Sequence, residues 1–274
     1  MLKSRVITAA ILLALLLTAL FALPPAAWAV LIVVMVMQGA VEWSRLSGFV
    51  GRKAGLYWGM TLLLMAGLLW MDAGATEAQH VYTRLLVYAA SALLWLIIVP
   101  TWLMAGWKVR QPVLMALVGW AVLLPTGLAM LDLRAASPWI LLFVMCLVWV
   151  ADIAAFFAGR KFGKNKLAPS ISPGKTWEGV AGALLGVSVY VVLVWSFSPD
   201  FAYREILPIL LLASWWWVGL AVIGDLFESA VKRQAGVKDS GALLPGHGGL
   251  LDRIDALTST LPLAALALLL QKLG

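Results

Sequence analysis

The chain has 274 residues, of which 63% are hydrophobic and 12% charged, and it carries a net charge of +7. Its mean hydropathy is +0.98, and its apolar share lies far above the roughly 45–50% of soluble domains. A water-soluble fold is excluded, and the basic excess is read against a bilayer rather than against nucleic acid, which is not an expected partner. Apolar stretches near the length needed to cross a membrane run at approximately 6–23, 26–43, 54–71, 85–106, 112–131, 138–158, 177–198, 206–224 and 255–271. The expected fold is therefore an all-α integral membrane protein, a polytopic bundle of about nine transmembrane helices forming a single membrane domain over 1–274. The first stretch, with Lys3 and Arg5 ahead of it and Ala27-Trp28-Ala29 behind, imitates a secretory signal, but its length favours an uncleaved span. Cys146 is the only cysteine and lies inside an apolar run, so no disulfide framework or thiolate metal site can be built.

With the N-terminus in the cytosol, sixteen of the twenty basic residues fall on cytosolic segments and four (Arg84, Arg134, Arg204 and Lys272) on the opposite side. That distribution predicts nine spans with the C-terminus outside. Spans within 1–135 carry few ionisable groups and read as scaffold. The portion 138–274 holds two long polar segments, 159–176 and 225–254, both on the cytosolic side and both candidates for chemistry.

Ionisable groups at or within spans are costly and are functional candidates by default. Asp152, near the cytosolic end of the sixth span, is the first; its structural alternative is a pair with Arg160 or Lys161. Glu42, at the end of the second span, is expected to pair with Arg45. The basic, glycine-containing stretch 159–166 is followed by Ser172-Pro173-Gly174-Lys175-Thr176-Trp177-Glu178-Gly179. Such a loop can surround phosphate oxygens, with lysine charge, Ser172 and Thr176 hydroxyls and a turn ahead of a helix N-terminus. It lacks the spaced glycine of a Walker A loop.

The segment 224–255 concentrates Asp225, Glu228, Asp239, Asp252 and Asp255 with Lys232, Arg233, Lys238 and Arg253, and adds a glycine-flanked His247 followed by Gly248 and Gly249. Hard carboxylate oxygens suit Mg²⁺, which is usually held by one or two carboxylates with water and phosphate oxygens. Asp225 and Asp252 stand at the two membrane ends of the segment. A chain returning to the membrane can bring them together. The alternative for Asp252 and Asp255 is capping of the last helix. His247 reads as a hydrogen-bond donor to phosphate or a turn residue rather than a metal ligand.

Ser229, Lys232, Arg233, Lys238, Asp239, Ser240, Pro245, His247, Gly248, Gly249, Asp252, Arg253 and Asp255 together resemble the signature of the phosphatidate cytidylyltransferase (CDP-diacylglycerol synthase) family. Asp152 with Gly159-Arg160, and the stretch 172–179, are similar to that family's second conserved region. The resemblance implies CTP + phosphatidate → CDP-diacylglycerol + pyrophosphate, in phospholipid biosynthesis. It also implies Mg²⁺ held by Asp225 and Asp252, with a second cation such as K⁺ beside it. The assignment that follows gives catalytic or charge-neutralising roles to Asp225, Lys232, Arg233, Lys238, Asp239, Asp252 and Arg253. Substrate contacts fall to Asp152, Ser172, Lys175, Thr176, Ser229, His247, Gly248 and Gly249. The expected setting is a bacterial inner membrane with the site facing the cytosol, and a homodimer is a further expectation. Two other readings stand beside it: a CTP-dependent transferase or kinase acting on another lipid phosphate or polyprenol, and an anion transporter, which predicts related halves and charges at mid-membrane.

Overall fold

The computed structural model describes residues 2–197, 207–243 and 248–273, with the side chains of 2–10 and of 72 left undescribed. Almost all of the described backbone is helical, as hydrocarbon demands, because a spanning segment must satisfy its own N–H and C=O groups. The helices are α1 (Leu2–Ala22), α2 (Pro25–Leu46), α3 (Arg52–Ala73), α4 (Glu77–Leu93), α5 (Val99–Ala105), α6 (Pro112–Ala136), α7 (Pro138–Phe162), α8 (Trp177–Phe197), α9 (Leu207–Gln234) and α10 (Leu251–Leu273). A π turn, Leu94–Ile98, joins α4 to α5, so the two act as one span, Glu77–Ala105. Pro100 explains that turn: a proline ring clashes with the carbonyl four residues back, and a wider turn absorbs the clash.

Against the nine spans expected, eight helices among the described residues are long and apolar enough to cross a membrane. The difference is α1, whose described side chains, Ile11–Ala22, make an apolar helix shorter than a span. The all-α expectation also needs one amendment. Strands β1 (Lys166–Ala168) and β2 (Ser172–Thr176) form an antiparallel hairpin between α7 and α8. The chain therefore reverses at 169–171, and Ser172-Pro173-Gly174 belongs to a strand rather than to the turn.

Span ends differ as well. α9 continues through Gln234, so the polar segment expected to loop from 225 is helical over its first ten residues, and α10 already begins at Leu251. The apolar moment of hydropathy stops before the helix does, because a helix leaving the bilayer can keep its backbone bonds while its side chains turn polar.

The main core lies where α2, α6, α9 and α10 meet. Trp43 donates its indole N–H to the Met115 carbonyl at 2.7 Å. Phe227 of α9 is seated among Trp43, Trp95 and Trp102, with ring centroids 6.4, 5.5 and 5.4 Å away. That anchor turns the Phe227 face of α9 into the scaffold and leaves Asp225, two residues earlier, on another face. At the opposite end of the bundle Arg84 is buried against Asp132 at 2.7 Å, and the Tyr88 hydroxyl donates to the same carboxylate at 2.5 Å. Arg134 donates to the carbonyls of Leu20 and Leu23, closing the C-terminus of α1. Arg84 and Arg134 are thus structural.

Candidate active site

Helices α9 and α10 approach closely enough to place their polar faces together because position 224 has no side chain. A Cβ on Gly224 would sit 2.6 Å from Ser259 Oγ and 2.7 Å from the Asp255 carbonyl. Ser259 bridges the same contact by donating to the Leu220 carbonyl at 2.8 Å. Asp225 and Asp255, which flank this crossing, lie within electrostatic reach of each other, and Asp152 of α7 lies within reach of both. Three carboxyl groups therefore gather where α7, α9 and α10 converge.

Beside them opens a cavity of about 420 Å³, walled by α7, α8, α9 and the hairpin. Its polar lining is Asp152, Arg160, Ser172, Lys175, Thr176 and Asp225. Lys175 Nζ is 2.6 Å from Asp225 Oδ2, and the Ser229 hydroxyl donates to Asp225 Oδ1 at 3.3 Å. Thr176 Oγ1 accepts the Gly179 N–H at 3.1 Å, opening α8 at the cavity wall. Glu178 holds the base of the hairpin by accepting from the Asn165 side chain at 2.8 Å and from the backbone N–H groups of Lys164 and Asn165, each at 3.2 Å. Residues 172–176 are thus presented by a strand fixed at both ends.

A second cluster is built around Asp252 in the first turn of α10. Its Oδ1 accepts from Lys232 Nζ at 2.6 Å, and its Oδ2 accepts from the backbone N–H groups of Ser240 and Gly249 at 2.9 and 2.8 Å. Lys232 also reaches Glu228 Oε1 at 3.1 Å, so one ammonium is shared between two carboxylates. The loop is tied to the scaffold by Glu42 of α2. That carboxylate, fully buried, accepts from Gln38 Nε2 at 2.8 Å and from the N–H groups of Leu250 and Leu251 at 2.8 and 2.9 Å. The single Ser240 hydroxyl lies 2.8 Å from Glu42 Oε2 and 3.0 Å from Asp252 Oδ2. A Cβ on Gly249 would sit 2.3 Å from Glu42 Oε2, so only glycine admits the clamp.

The expectation of a Glu42–Arg45 pair is therefore corrected: the Glu42 oxygens are filled by the 240–251 segment. Glycine-rich turns at membrane depth need acceptors for their buried N–H groups, and a carboxylate on a neighbouring helix meets that need. The signal was the intramembrane carboxylate itself, read with the wrong partner. Glu228, between Lys232 and the core, has no role assigned from sequence, whereas Arg160, in the basic stretch read as able to surround phosphate oxygens, lines the cavity.

The predicted residues separate into groups. Asp152, Ser172, Lys175, Thr176 and Asp225 share the cavity, with Ser229 bonded to its edge. Lys232, Asp252, Gly248 and Gly249 belong to the adjoining cluster; Gly248 takes φ +78°, and a Cβ there would meet Asp252 Oδ2 at 2.6 Å. Lys238 and Asp239 are exposed on the 235–243 connection and line neither. Arg233 is turned away too, donating to the Ile171 and Val237 carbonyls at 3.4 and 3.3 Å. Arg253 is exposed on the first turn of α10, and His247 lies outside the described residues.

The donor chemistry fits a hard divalent cation at the Asp225 side of the site, where three carboxyl groups gather and Lys175 is the cation bonded to Asp225. Among the described residues no three His, Cys, Asp or Glu side chains converge into a ready-made metal site. Asp252 differs, since Lys232 and the backbone N–H groups of Ser240 and Gly249 fill its oxygens.

Comparison with known proteins decides the family. The profile of the cytidylyltransferase family matches residues 3–271. The chain belongs to that family. Two relatives named phosphatidate cytidylyltransferase cover nearly all of it. The protein of Haemophilus influenzae is 39% identical over 285 residues, 96% of either chain. That of Pseudomonas aeruginosa is 40% identical over 272 residues, 97% of this chain and 96% of the relative. A third, from Thermotoga maritima, is 43% identical over 129 residues, 45% of this chain. This cytidylyltransferase-family chain, with its eight candidate spans, is an integral membrane protein.

Proposed function

We propose that the protein transfers the cytidylyl group of CTP to phosphatidate, releasing pyrophosphate and leaving CDP-diacylglycerol in the membrane. The observation that carries the reading is the full-length likeness to two phosphatidate cytidylyltransferases. The cavity adds chemical support. A phosphatidate phosphate is already ionised at neutral pH, so it needs no strong base to attack the α-phosphorus. It needs charge neutralisation and in-line placement, because two anions must approach and an anion must leave. Lys175, with Arg160 at the rim, supplies positive charge, and Ser172 and Thr176 supply hydroxyls to phosphate oxygens. Asp225, with Asp152 and Asp255 nearby, and Asp252 would hold Mg²⁺, with K⁺ as a second cation. When bound, the metal neutralises charge on the phosphates. Lys175, now held by Asp225, would then be released toward phosphate oxygens. Lys232 would have to yield one oxygen of Asp252.

The site is proposed to face the cytosol of a bacterial inner membrane, where CTP is present, on the strength of sixteen basic residues against four. A kinase acting on a polyprenol or another lipid shares the chemistry of phosphate recognition. Product labelling separates the two. With CTP labelled at the α-phosphate, label should pass into a lipid that requires phosphatidate; with CTP labelled at the γ-phosphate, it should appear in pyrophosphate. Recovery of the γ label in lipid would overturn the assignment. An anion transporter would give no labelled lipid at all.

A further inference from the structure

A second cavity, of about 490 Å³, opens where the α5–α6 connection, the turn of the hairpin and the C-terminal end of α9 meet. It shares no lining residue with the polar cavity of the candidate site, and its chemistry differs. Its charged lining is Lys108, Arg110 and Arg233, beside Trp102, Trp107 and Ser170, and no carboxylate is among the described lining residues. Packing fixes this wall. Trp102 stands edge-on to Phe227 at 5.4 Å and beside Trp107 at 6.4 Å between ring centroids. Gln234 of α9 accepts the Val109 N–H at 2.8 Å and donates to the Val109 carbonyl at 2.5 Å, so the connection is clamped at the residue between Lys108 and Arg110. Ala230 and Gln234 lie one turn apart, on a face of α9 other than the one that carries Asp225.

We propose that this cavity binds the phosphate of an anionic phospholipid headgroup, held as a resident lipid rather than as a substrate. Three cations gathered in one cleft with no acid among them attract an anion, and at a membrane surface lipid phosphate is the abundant one. Position favours the lipid over a soluble phosphate. The cavity lies at the end of the span Glu77–Ala105, where Met104 is 88% exposed and Trp107 49% exposed. Exposed apolar surface on a spanning helix faces hydrocarbon, and tryptophan at its end marks the headgroup level. A free phosphate gains nothing from that apolar approach. A phospholipid lays its chains along it and sets its phosphate among Lys108, Arg110 and Arg233. Arg233 also donates to the Ile171 carbonyl at 3.4 Å, so the headgroup rests against the turn of the hairpin whose β2 carries Lys175. The inference does not depend on which lipid phosphate reacts at the candidate site.

Lipid retention tests this without any turnover. Phosphatidylglycerol is the probe, because its phosphodiester has no terminal phosphate to accept a cytidylyl group. Native mass spectrometry of the full chain in detergent, titrated with phosphatidylglycerol, zwitterionic phosphatidylcholine or pyrophosphate, reads the apparent Kd for each. Wild type should retain phosphatidylglycerol over phosphatidylcholine, and Lys108→Gln with Arg110→Gln should weaken phosphatidylglycerol about tenfold or more. Arg52→Gln with Lys53→Gln removes the same charge from the exposed start of α3 and should leave binding near wild type. Arg110→Gln alone is read in place of the first pair should that pair fail to insert. Equal weakening in the two double variants would reduce the effect to bulk charge and overturn the site, as would no weakening at Lys108 and Arg110 or no preference for phosphatidylglycerol in wild type. Pyrophosphate binding that is lost with Lys108 and Arg110, while phosphatidylglycerol retention is unchanged, would give the cavity to a soluble phosphate and overturn the lipid assignment.

Discussion

Two aspartates that look alike in the sequence have different surroundings. Asp225 opens onto the cavity and carries one lysine and one serine hydroxyl. Asp252 is a strut, bonded to Lys232, Ser240 and Gly249. Substitution should separate them from Glu42. Asp225→Asn should lose nearly all turnover with thermal stability unchanged, because it deletes a charge at the cavity without leaving a buried donor orphaned. Asp252→Asn should lose turnover and stability together. Glu42→Gln places an amide N–H against the donors of Leu250, Leu251 or Ser240 and should cost about 1–3 kcal/mol in unfolding, with turnover falling through disorder of the 240–251 segment. Thermal melts in detergent beside CMP-transfer rates check all three; a Glu42→Gln protein as stable and active as wild type would remove the clamp from the account.

At the level of elements, helix crossings place the chemistry. The α9–α10 contact at Gly224 is closed by the Ser259 hydroxyl and by the backbone of Asp255 and Ala256. Gly224→Val should push the helices apart, costing about 2 kcal/mol or more and separating Asp225 from Asp255. Gly219 on the same helix, where a Cβ meets nothing within 4 Å, is the control, and Gly219→Val should leave both melting and turnover near wild type. Equal loss in both variants would mean that the helix, not the crossing, is sensitive. The hairpin makes a related point. Its Ser-Pro-Gly-Lys-Thr stretch was legible as phosphate-binding in composition, yet its strand form was not, because a three-residue and a five-residue strand are stabilised by each other and by Glu178 across 13 or 14 positions of sequence.

For the whole molecule, the proposed orientation rests on the distribution of basic residues and can be read by labelling. In a Cys146→Ala background, Ala136→Cys at the end of α6 should react with an impermeant maleimide on intact cells, and Ala242→Cys in the connection before α10 should react only after lysis. The reverse pattern would put the cavity on the wrong side for CTP. What the sequence determined by itself is what composition and short-range order determine: the bilayer as solvent, the apolar core of each of the eight spans found among the described residues, the gathering of polar groups at one end and the motif that carries the family. Only the tertiary structure decided which of those polar groups meet. Glu42 reaches its partners across 198 to 209 residues, Lys175 meets Asp225 across a change of element, and Lys238 and Asp239, in the middle of the motif, line neither cluster. Hydropathy and motif spacing are properties of neighbours along the chain, whereas a carboxylate's role depends on which donors and cations packing brings to it from distant helices.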